Sequence, residues 1–479
     1  MKFDTLLGEC SKKIGANLCL LAGGLMAKAW ADEPLFMTSQ RWLRIIPVAF
    51  VMYTIAYIDR TNIALALPSL SKELGINAKD AGDIAGIFFY GYLILQIPGG
   101  YLAHRWSAKW CVSILLVFWG ICAVACGLVH TAAQFRVARF MLGVAEGGVW
   151  PAVLVMLSQW FPRAERARAN AFWMLCLPLS VVVSSPISGW IIDHWNWRTM
   201  LIAEGALPFL WLVIWISFVY DHPREAPWIS TEERTEVETI LRHESEELKP
   251  VRPVPLYAAL FHPTVLILIL VYFLMNVGAY GYNSWLPSAL KKALDTQATA
   301  DAAASSEKGR ANIPAVQSNL KVGALNAVPY LIAAVAMVMV ARSSDRTRKR
   351  RVHLVRGLIW AGSFLALSVW AGGSHPVLSF AFVTLVIGGA WSGLAPFWAI
   401  PAETLPRDVA ASSMGLINAL GNLGGYFGPY VVGYVKDLSA GSENFSAAFL
   451  VLALSFVLGG LAAMLLPAQR AASDAGEKR

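Results

Sequence analysis

Residues 111–129 have the sequence CVSILLVFWGICAVACGLV, which contains no Asp, Glu, Lys, Arg or His. A helix needs about 20 mainly apolar residues to cross the hydrocarbon core of a bilayer. The segment has this length, and it lacks the strict alternation of apolar and polar residues that a barrel strand shows. It therefore predicts a membrane-spanning helix.

Similar apolar runs follow one another along most of the chain, and they predict twelve spans. The predicted limits are 45–67, 83–103, 111–129, 134–157, 170–192, 199–220, 263–287, 321–341, 352–371, 376–399, 412–433 and 444–466. The composition agrees, because 57% of the residues are hydrophobic and 15% are charged, whereas soluble proteins have about 25% charged residues. We predict an all-α polytopic membrane protein, which excludes a disordered, collagen-like or disulfide-scaffold chain.

The basic residues predict the orientation of the spans. With a cytoplasmic N-terminus, 27 of the 39 lysines and arginines fall on the cytoplasmic side, nine on the opposite side and three within spans. Cytoplasmic loops of membrane proteins carry such an excess, so we expect both termini in the cytoplasm. The net charge of +8 is then mostly an orientation signal, and no nucleic-acid partner is expected.

Short matches recur along the chain at a nearly constant offset. The loops at 100–109 and 341–350 match at an offset of 241 (341 − 100), and Pro186 and Pro429 at an offset of 243 (429 − 186). These matches predict two homologous six-helix halves. The predicted segments are an N-terminal extension (1–40), a first half (41–220), a cytoplasmic linker (221–262), a second half (263–466) and a cytoplasmic tail (467–479).

Three polar or atypical stretches lie outside the spans. Residues 1–36 resemble a signal peptide, but cleavage would conflict with the charge bias. We interpret them as an uncleaved cytoplasmic extension or as the product of an upstream start, with Met37 as the native start. In the linker, residues 230–233 (STEE) predict the start of a surface helix. The Ala- and Ser-rich stretch 288–320 predicts a mobile loop.

Ionisable residues inside spans are candidates for function, because burying a charge in a membrane costs several kcal/mol. Span 1 contains Asp59 and Arg60, and span 4 contains Arg139 and Glu146. Buried arginines suit a carboxylate, sulfonate or phosphate, and a desolvated carboxylate readily takes up a proton. Together they predict an anion bound with a proton. The alternative is that these acids and arginines only neutralise one another.

Other residues receive smaller roles. Glu204 lies within two turns of the outer end of span 6, and we expect it to be structural; Asp193 and Arg198 are expected at the outer interface. Trp398 is a candidate for a cavity wall, and at least one of Asn418 and Asn422 is expected to face the cavity. No motif for a metal, a nucleotide or a catalytic nucleophile occurs, so no cofactor is expected.

The sequence resembles the anion:cation symporter family of the major facilitator superfamily. The segments that carry the resemblance are 57–62 (YIDRTN), 95–100 (LQIPGG), 139–146 (RFMLGVAE), 160–162 (WFP) and 421–429 (GNLGGYFGP). Residues 285–287 and 343–346 are most similar to the tartrate, 4-hydroxyphenylacetate and phthalate transporter branch. The resemblance implies the major facilitator fold, a bacterial inner membrane and uptake of organic anions with protons.

The resemblance also implies residue roles. It implies proton-carrying roles for Asp59 and Glu146. The implied substrate contacts are Arg60, Tyr92, Arg139, Trp398 and Asn418. The residues expected to act in gating are Arg105, Asp345, Arg346, Gly428 and Pro429. His104 stands where the family usually has Asp, and Leu177 or Pro178 where sugar-acid members have Gln; the latter favours a smaller or more apolar anion.

We therefore predict a monomeric transporter that imports a small organic anion, such as a hydroxy-dicarboxylate or an aromatic acid, by proton symport through alternating access. The alternatives are an exchanger or exporter of the same fold, a polytopic membrane enzyme, and a sensor without transport activity.

Overall fold

The structure, a computed structural model, describes residues 39–247, 255–306, 318–372, 374–438 and 445–467. Across these ranges all regular structure is helical, as predicted. The α-helices are Gln40–Thr61, Ile63–Leu74, Ala78–Gly86, Phe88–Arg105, Ala108–Leu128, Ala132–Gly147, Val149–Trp160, Arg163–Met174, Cys176–His194, Trp197–Gly205, Leu207–Phe218, Thr231–Glu247, Leu256–Leu260, Pro263–Ser306, Asn319–Thr347, Arg350–Gly372, Pro376–Ser392, Leu394–Thr404, Arg407–Asn422, Gly424–Leu438 and Ser446–Met464. A 3-10 helix covers Pro223–Glu225. The predicted N-terminal extension and most of the predicted C-terminal tail lie outside the described residues.

In the described part of the chain, 11 helices or consecutive helix pairs are long and apolar enough to cross a membrane. Spans 1–10 are Gln40–Leu74, Ala78–Arg105, Ala108–Leu128, Ala132–Trp160, Arg163–His194, Trp197–Phe218, Pro263–Thr299, Asn319–Thr347, Arg350–Gly372 and Pro376–Thr404, and span 12 is Ser446–Met464. Span 11 comprises Arg407–Asn422 and Gly424–Leu438, and its glycines, asparagines and charged ends make it less apolar. All twelve predicted spans are thus helical.

Two helix breaks lie beside the ionisable residues that the sequence singles out. Span 1 breaks at Asn62, three residues after Asp59. Span 4 breaks at Gly148, two residues after Glu146. Asn62 and Gly148 both keep right-handed helical backbone angles, so each interruption is a local irregularity in the helix beside these charged side chains.

The prediction of a loop over 288–320 is wrong for its first part, because the helix of span 7 continues to Ser306. Alanine has the highest helix propensity, and the alanines of this stretch allow the helix to run beyond the apolar segment. Residues 307–317 lie outside the described residues. The predicted linker helix is present as Thr231–Glu247.

The linker helix is attached to the start of span 1. The backbone N–H of Glu233 donates to Oγ of Ser230 at 3.2 Å, as a helix start requires. Its carboxylate, however, accepts hydrogen bonds from the hydroxyl of Ser39, from the backbone N–H of Gln40 at 3.0 Å and from Nη1 of Arg41 at 3.4 Å. These contacts anchor the linker helix against the first span.

One end of the bundle is closed by two matching contacts, and we call it the capped face. Here span 5 ends against the start of span 8, and span 11 ends against the start of span 2. The carboxylate of Asp193 accepts hydrogen bonds from the backbone N–H groups of Asn319 and the next residue, at 2.8 and 2.9 Å. The carboxylate of Asp437 accepts from those of Ala78 and the next residue, at 3.1 and 2.9 Å. Each carboxylate therefore stabilises a helix N-terminus of the opposite half of the sequence.

The two contacts follow the internal repeat. Asp193 and Asp437 are 244 positions apart (437 − 193), and the capped residues Ala78 and Asn319 are 241 apart (319 − 78). One turn before each carboxylate is a glycine, Gly189 or Gly433, where a Cβ atom would overlap the backbone of the capped helix start. Glycine at these positions lets the helices approach closely enough for capping.

Candidate functional site

A central cavity of about 60 Å³ lies between the first six spans and the last six. Its lining residues are Tyr53, Tyr57, Arg60, Tyr92, Trp150, Met174, Leu177, Tyr272, Met275, Asn276, Ala279, Tyr280, Trp391, Leu394, Trp398, Asn418 and Asn422. This volume is below the about 300–1,000 Å³ that is typical of sites for small molecules, so the cavity is narrow and must widen to admit a substrate. Four of the five predicted substrate contacts, Arg60, Tyr92, Trp398 and Asn418, line this cavity together.

Arg60 is the charged residue of the cavity, and among the described lining residues it is the only one. Arg60 is 7% exposed, and its guanidinium lies 4.6 Å from the ring centre of Tyr92 and 5.1 Å from that of Phe88. Nη2 of Arg60 donates to Oε2 of Glu146 at 3.1 Å. Aromatic faces and a carboxylate stabilise a buried guanidinium, so this cation is held in place with one edge near the cavity.

Glu146 lies behind Arg60 and does not line the cavity. Its side chain is 1% exposed, and its Oε1 atom has no hydrogen-bond partner among the described residues. A buried carboxylate oxygen without a donor is energetically costly. The pairing with Arg60 is therefore the main interaction that stabilises a negative charge on Glu146.

Asp59 and Arg139 form a second buried layer. Asp59 accepts hydrogen bonds from Nε1 of Trp119 at 2.7 Å and from Nδ2 of Asn62 at 3.4 Å. Nη1 of Arg139 donates to the backbone carbonyl of Asp59 at 3.0 Å, and its guanidinium lies 5.3 Å from the ring centre of Phe88. The structure thus places Arg139 near Arg60 but does not bring it to the cavity wall.

Polar residues on the opposite side of the cavity form a chain of hydrogen bonds. Nδ2 of Asn418 donates to Oε1 of Gln96 at 2.6 Å, which links span 11 to span 2. Nδ2 of Asn422 donates to Oδ1 of Asn418 at 3.0 Å. Both asparagines line the cavity, where the sequence predicts at least one. Trp398 packs edge-on against Tyr272, with ring centres 5.2 Å apart.

Most of the aromatic wall of the cavity was not predicted from the sequence. Tyr53, Tyr57 and Arg60 are spaced by four and three residues, and Tyr272 and Tyr280 are eight apart. Such spacings place side chains on one face of a helix, so a search for polar aromatic residues in register with Arg60 would have found them. Leu177, one of the two positions that replace glutamine in the resemblance, also lines the cavity.

The predicted gating residues lie at two levels. At the face opposite the capped face, Arg105 stacks on its neighbour Tyr101, and Asp345 pairs with Arg350 of the same loop. Arg346 is exposed there. Nearer the capped face, a Cβ atom at Gly428 would overlap the backbone of Val277, and the carbonyl of Pro429 accepts a hydrogen bond from Nε1 of Trp285 at 3.0 Å.

The described residues contain no group of three or more His, Cys, Asp or Glu that could hold a metal ion.

The sequence and the fold are similar to those of known transport proteins. The pattern of the Major Facilitator Superfamily matches residues 49–429. A protein of Agrobacterium vitis named as a tartrate transporter is 33% identical over 419 residues, which cover 86% of this chain and 91% of that protein. The quinolone resistance transporter of Acinetobacter baumannii is 29% identical, over 87% of this chain and 91% of that protein. The solved structure of the xylose transporter XylE from E. coli, in a partially occluded inward-open conformation, has a TM-score of 0.66 at 14% identity, covering 88% of this chain and 97% of that one.

Proposed function

The chain belongs to the Major Facilitator Superfamily and is a membrane transport protein rather than an enzyme, and on this premise we propose that it imports a small organic anion together with a proton. The observation that carries the proposal is the position of Arg60, which lines the cavity and is paired with the buried Glu146. One chain contains a whole cavity, which supports a monomer as the working unit. The bacterial relatives support an inner-membrane location, and the charge bias of the loops supports an orientation with both termini in the cytoplasm and the capped face outside.

Competition for Arg60 couples the anion to the proton. A substrate carboxylate that binds the guanidinium weakens its hydrogen bond to Glu146, which measures 3.1 Å. Glu146 is then a buried carboxylate with no other hydrogen-bond donor in the described part of the chain. Because an unpaired buried carboxylate is strongly unfavourable, Glu146 takes up a proton as the anion binds.

Asp59 and Arg139 support this site from behind. Arg139 is 2% exposed and has no carboxylate within ion-pair distance among the described residues, so its positive charge acts on the whole cluster. It favours an anion on Arg60, and its contact with the backbone of Asp59 joins it to the break in span 1. We assign Asp59 as the second proton-carrying residue, because a bend at Asn62 would change its hydrogen bonds.

The lining supports a carboxylate with an apolar or aromatic body. Eight of the lining residues are Tyr or Trp, and Met174 and Leu177 add an apolar wall. Aromatic side chains offer large stacking surfaces, and Asn276, Asn418 and Asn422 offer hydrogen bonds to a hydroxyl or a second carboxylate. The similarity to a protein named as a tartrate transporter supports a small hydroxy acid as the other member of this class.

Uptake into proteoliposomes tests the proposal. A thermal-shift screen of hydroxy-dicarboxylic, aromatic and sulfonated acids first selects the anion. Its uptake should then be driven by an inward proton gradient and stop when a protonophore collapses that gradient. Uptake that is indifferent to the gradient would refute symport.

Glu146→Gln separates binding from coupling. The variant should lose gradient-driven accumulation and keep exchange of external for internal anion, because it remains neutral throughout the cycle. Asp80→Asn is the matched control, since Asp80 pairs with Arg136 at 2.5 Å outside the cavity; it should accumulate the anion normally. Full accumulation by Glu146→Gln would contradict the assigned role.

Export is the second candidate function, and the similarity to a quinolone resistance transporter favours it. Quinolones combine a carboxylate with an aromatic body, which the cavity lining could also accommodate. Cells that express the chain should then accumulate less quinolone than cells that express an Arg60→Ala variant. Equal accumulation in the two strains would exclude this activity.

A further inference from the structure

A third buried acid lies outside the site described above. Glu204, on span 6, is 5% exposed. Its Oε2 atom accepts a hydrogen bond from Nδ2 of Asn62 at 2.9 Å, and its Oε1 atom lies 2.5 Å from Oγ of Ser188. No Lys, Arg or His of the described residues forms an ion pair with it. The sequence predicts a structural role for this residue, and its contacts also suit a residue that binds and releases a proton.

The surroundings of Glu204 favour a neutral acid. A buried ionised carboxylate is costly unless a cation and several hydrogen bonds compensate it. Glu146 has Arg60 for this purpose, whereas Glu204 has only an amide and a hydroxyl. The free-energy cost of a buried charge is higher still in a membrane-spanning helix. Protonation therefore lowers the free energy of burying Glu204.

The proton count at Ser188 gives an independent argument. Oγ of Ser188 lies 2.8 Å from the backbone carbonyl of Ser184 and 2.5 Å from Oε1 of Glu204. A hydroxyl has a single proton to donate, and a carbonyl oxygen has none. If Glu204 is ionised, the Ser188 hydroxyl faces two acceptors and can satisfy one. If Glu204 carries a proton on Oε1, it donates to Ser188, which donates to Ser184, and both short contacts are satisfied.

The partners of Glu204 belong to spans that line the cavity. Asn62 lies at the break of span 1, whose Tyr57 and Arg60 face the cavity, and Ser188 lies on span 5, whose Leu177 does so. A bend of span 1 at Asn62 when the capped face opens would loosen the contact of Asn62 with Glu204 and admit water to the carboxylate. A hydrated carboxylate ionises readily.

Other ionisable groups on the helices packed against Glu204 could contribute to a pH response. They are Arg41, Arg44, Tyr53, Tyr57, Asp59 and Arg60 on the first helix of span 1, Lys72 and Glu73 on its second helix, Lys109, Cys111, Cys122 and Cys126 on span 3, Cys176, Asp193 and His194 on span 5, and Arg198 on span 6 itself. Glu73 and Arg198 pair with each other at 2.8 Å near the capped face. Asp59 shares the Asn62 amide with Glu204 and accepts only N–H groups, as an ionised carboxylate does.

We propose that Glu204 is a proton-binding residue of the transport cycle, which takes up one proton when the capped face closes and releases it when that face opens. The step converts a carboxylate and a proton into a carboxylic acid, and no electron moves. The inference rests on the alternating-access part of the proposed function. It adds a third titrating acid to Asp59 and Glu146, at a site that the transported anion does not touch.

Distance measurements across the capped face test this proposal. Spin labels on Lys72→Cys and Ala293→Cys, both exposed and on spans 1 and 7, which pack against each other near that face, are introduced into a chain whose six native cysteines are replaced by serine. Pulsed electron paramagnetic resonance then gives the open fraction at each pH. In the parent, opening should increase with pH. One titrating proton changes the open-to-closed ratio by up to tenfold per pH unit. Glu204→Gln stays neutral, so the pH dependence of this ratio should be weaker in the variant than in the parent by up to that factor.

A second variant keeps the proposal testable if Glu204→Gln does not fold. Ser188→Ala removes the acceptor of the Glu204 proton and should move the opening transition to lower pH. An unchanged pH slope in Glu204→Gln, or an unshifted transition in Ser188→Ala, overturns the inference. Failure of proton-driven uptake in the parent would instead refute the proposed symport and leave this comparison of slopes intact.

Discussion

Removing the two carboxylates of the capped face should open that face. In Asp193→Asn and Asp437→Asn, each helix start keeps a side-chain amide oxygen but loses the negative charge and one of two acceptor atoms. Both residues are exposed, so the loss of charge and hydrogen bonding amounts to about 1 kcal/mol at each site. This corresponds to about a fivefold change in the open-to-closed ratio for one variant, and about 30-fold for the pair if the sites are independent.

The spin-label pair at residues 72 and 293 measures this ratio directly. The matched control is again Asp80→Asn, which removes an acidic charge near the same face but from an ion pair within the first six spans. The control should leave the distance distribution unchanged. The reasoning fails if the double variant has the distances of the parent, or if Asp80→Asn opens the face as far as the cap variants do.

Three further changes probe the cavity and the linker. Leu177→Gln places an amide in the apolar wall, so uptake of a polyhydroxylated sugar acid should rise about tenfold relative to uptake of an aromatic acid. Competition assays measure this ratio. An unchanged ratio would show that the wall does not discriminate between the two kinds of acid. Gln96→Leu removes the acceptor of the Asn418 amide and should weaken anion binding about fivefold, as measured by titration calorimetry. An unchanged affinity would show that anion binding does not depend on the orientation that Gln96 gives to Asn418. Glu233→Gln weakens the contacts of the linker helix with span 1 and should lower the Tm by a few degrees while uptake persists; an unchanged Tm would mean that these contacts add no stability.

The positions of the spans follow from the sequence, because the length of an apolar run is a local property that hydropathy detects. The same holds for Arg60 and Glu146, which are conspicuous as charges inside apolar helices. Arg139 is conspicuous for the same reason, yet it lies behind the cavity, because the rotation of span 4 is set by packing against spans 2 and 3. Composition does not reveal that rotation.

Long-range contacts were the part that could not be predicted. Asp193 is expected at an interface, but its role as a cap depends on the register of span 5 against span 8, which no local pattern specifies. Glu204 is expected to be structural because a single acid near a span end has many satisfactory environments. Only the positions of Asn62 and Ser188 show how its two oxygens are bonded.

The duplicated caps have a consequence for how the molecule opens. Two similar contacts on opposite sides of the cavity act as parallel latches, and breaking one while the other holds would require bending helices within a half. The half-open state is therefore higher in energy than either end state, and opening of this face becomes a concerted transition. The internal repeat thus supplies the switch-like behaviour of the gate along with the second six helices.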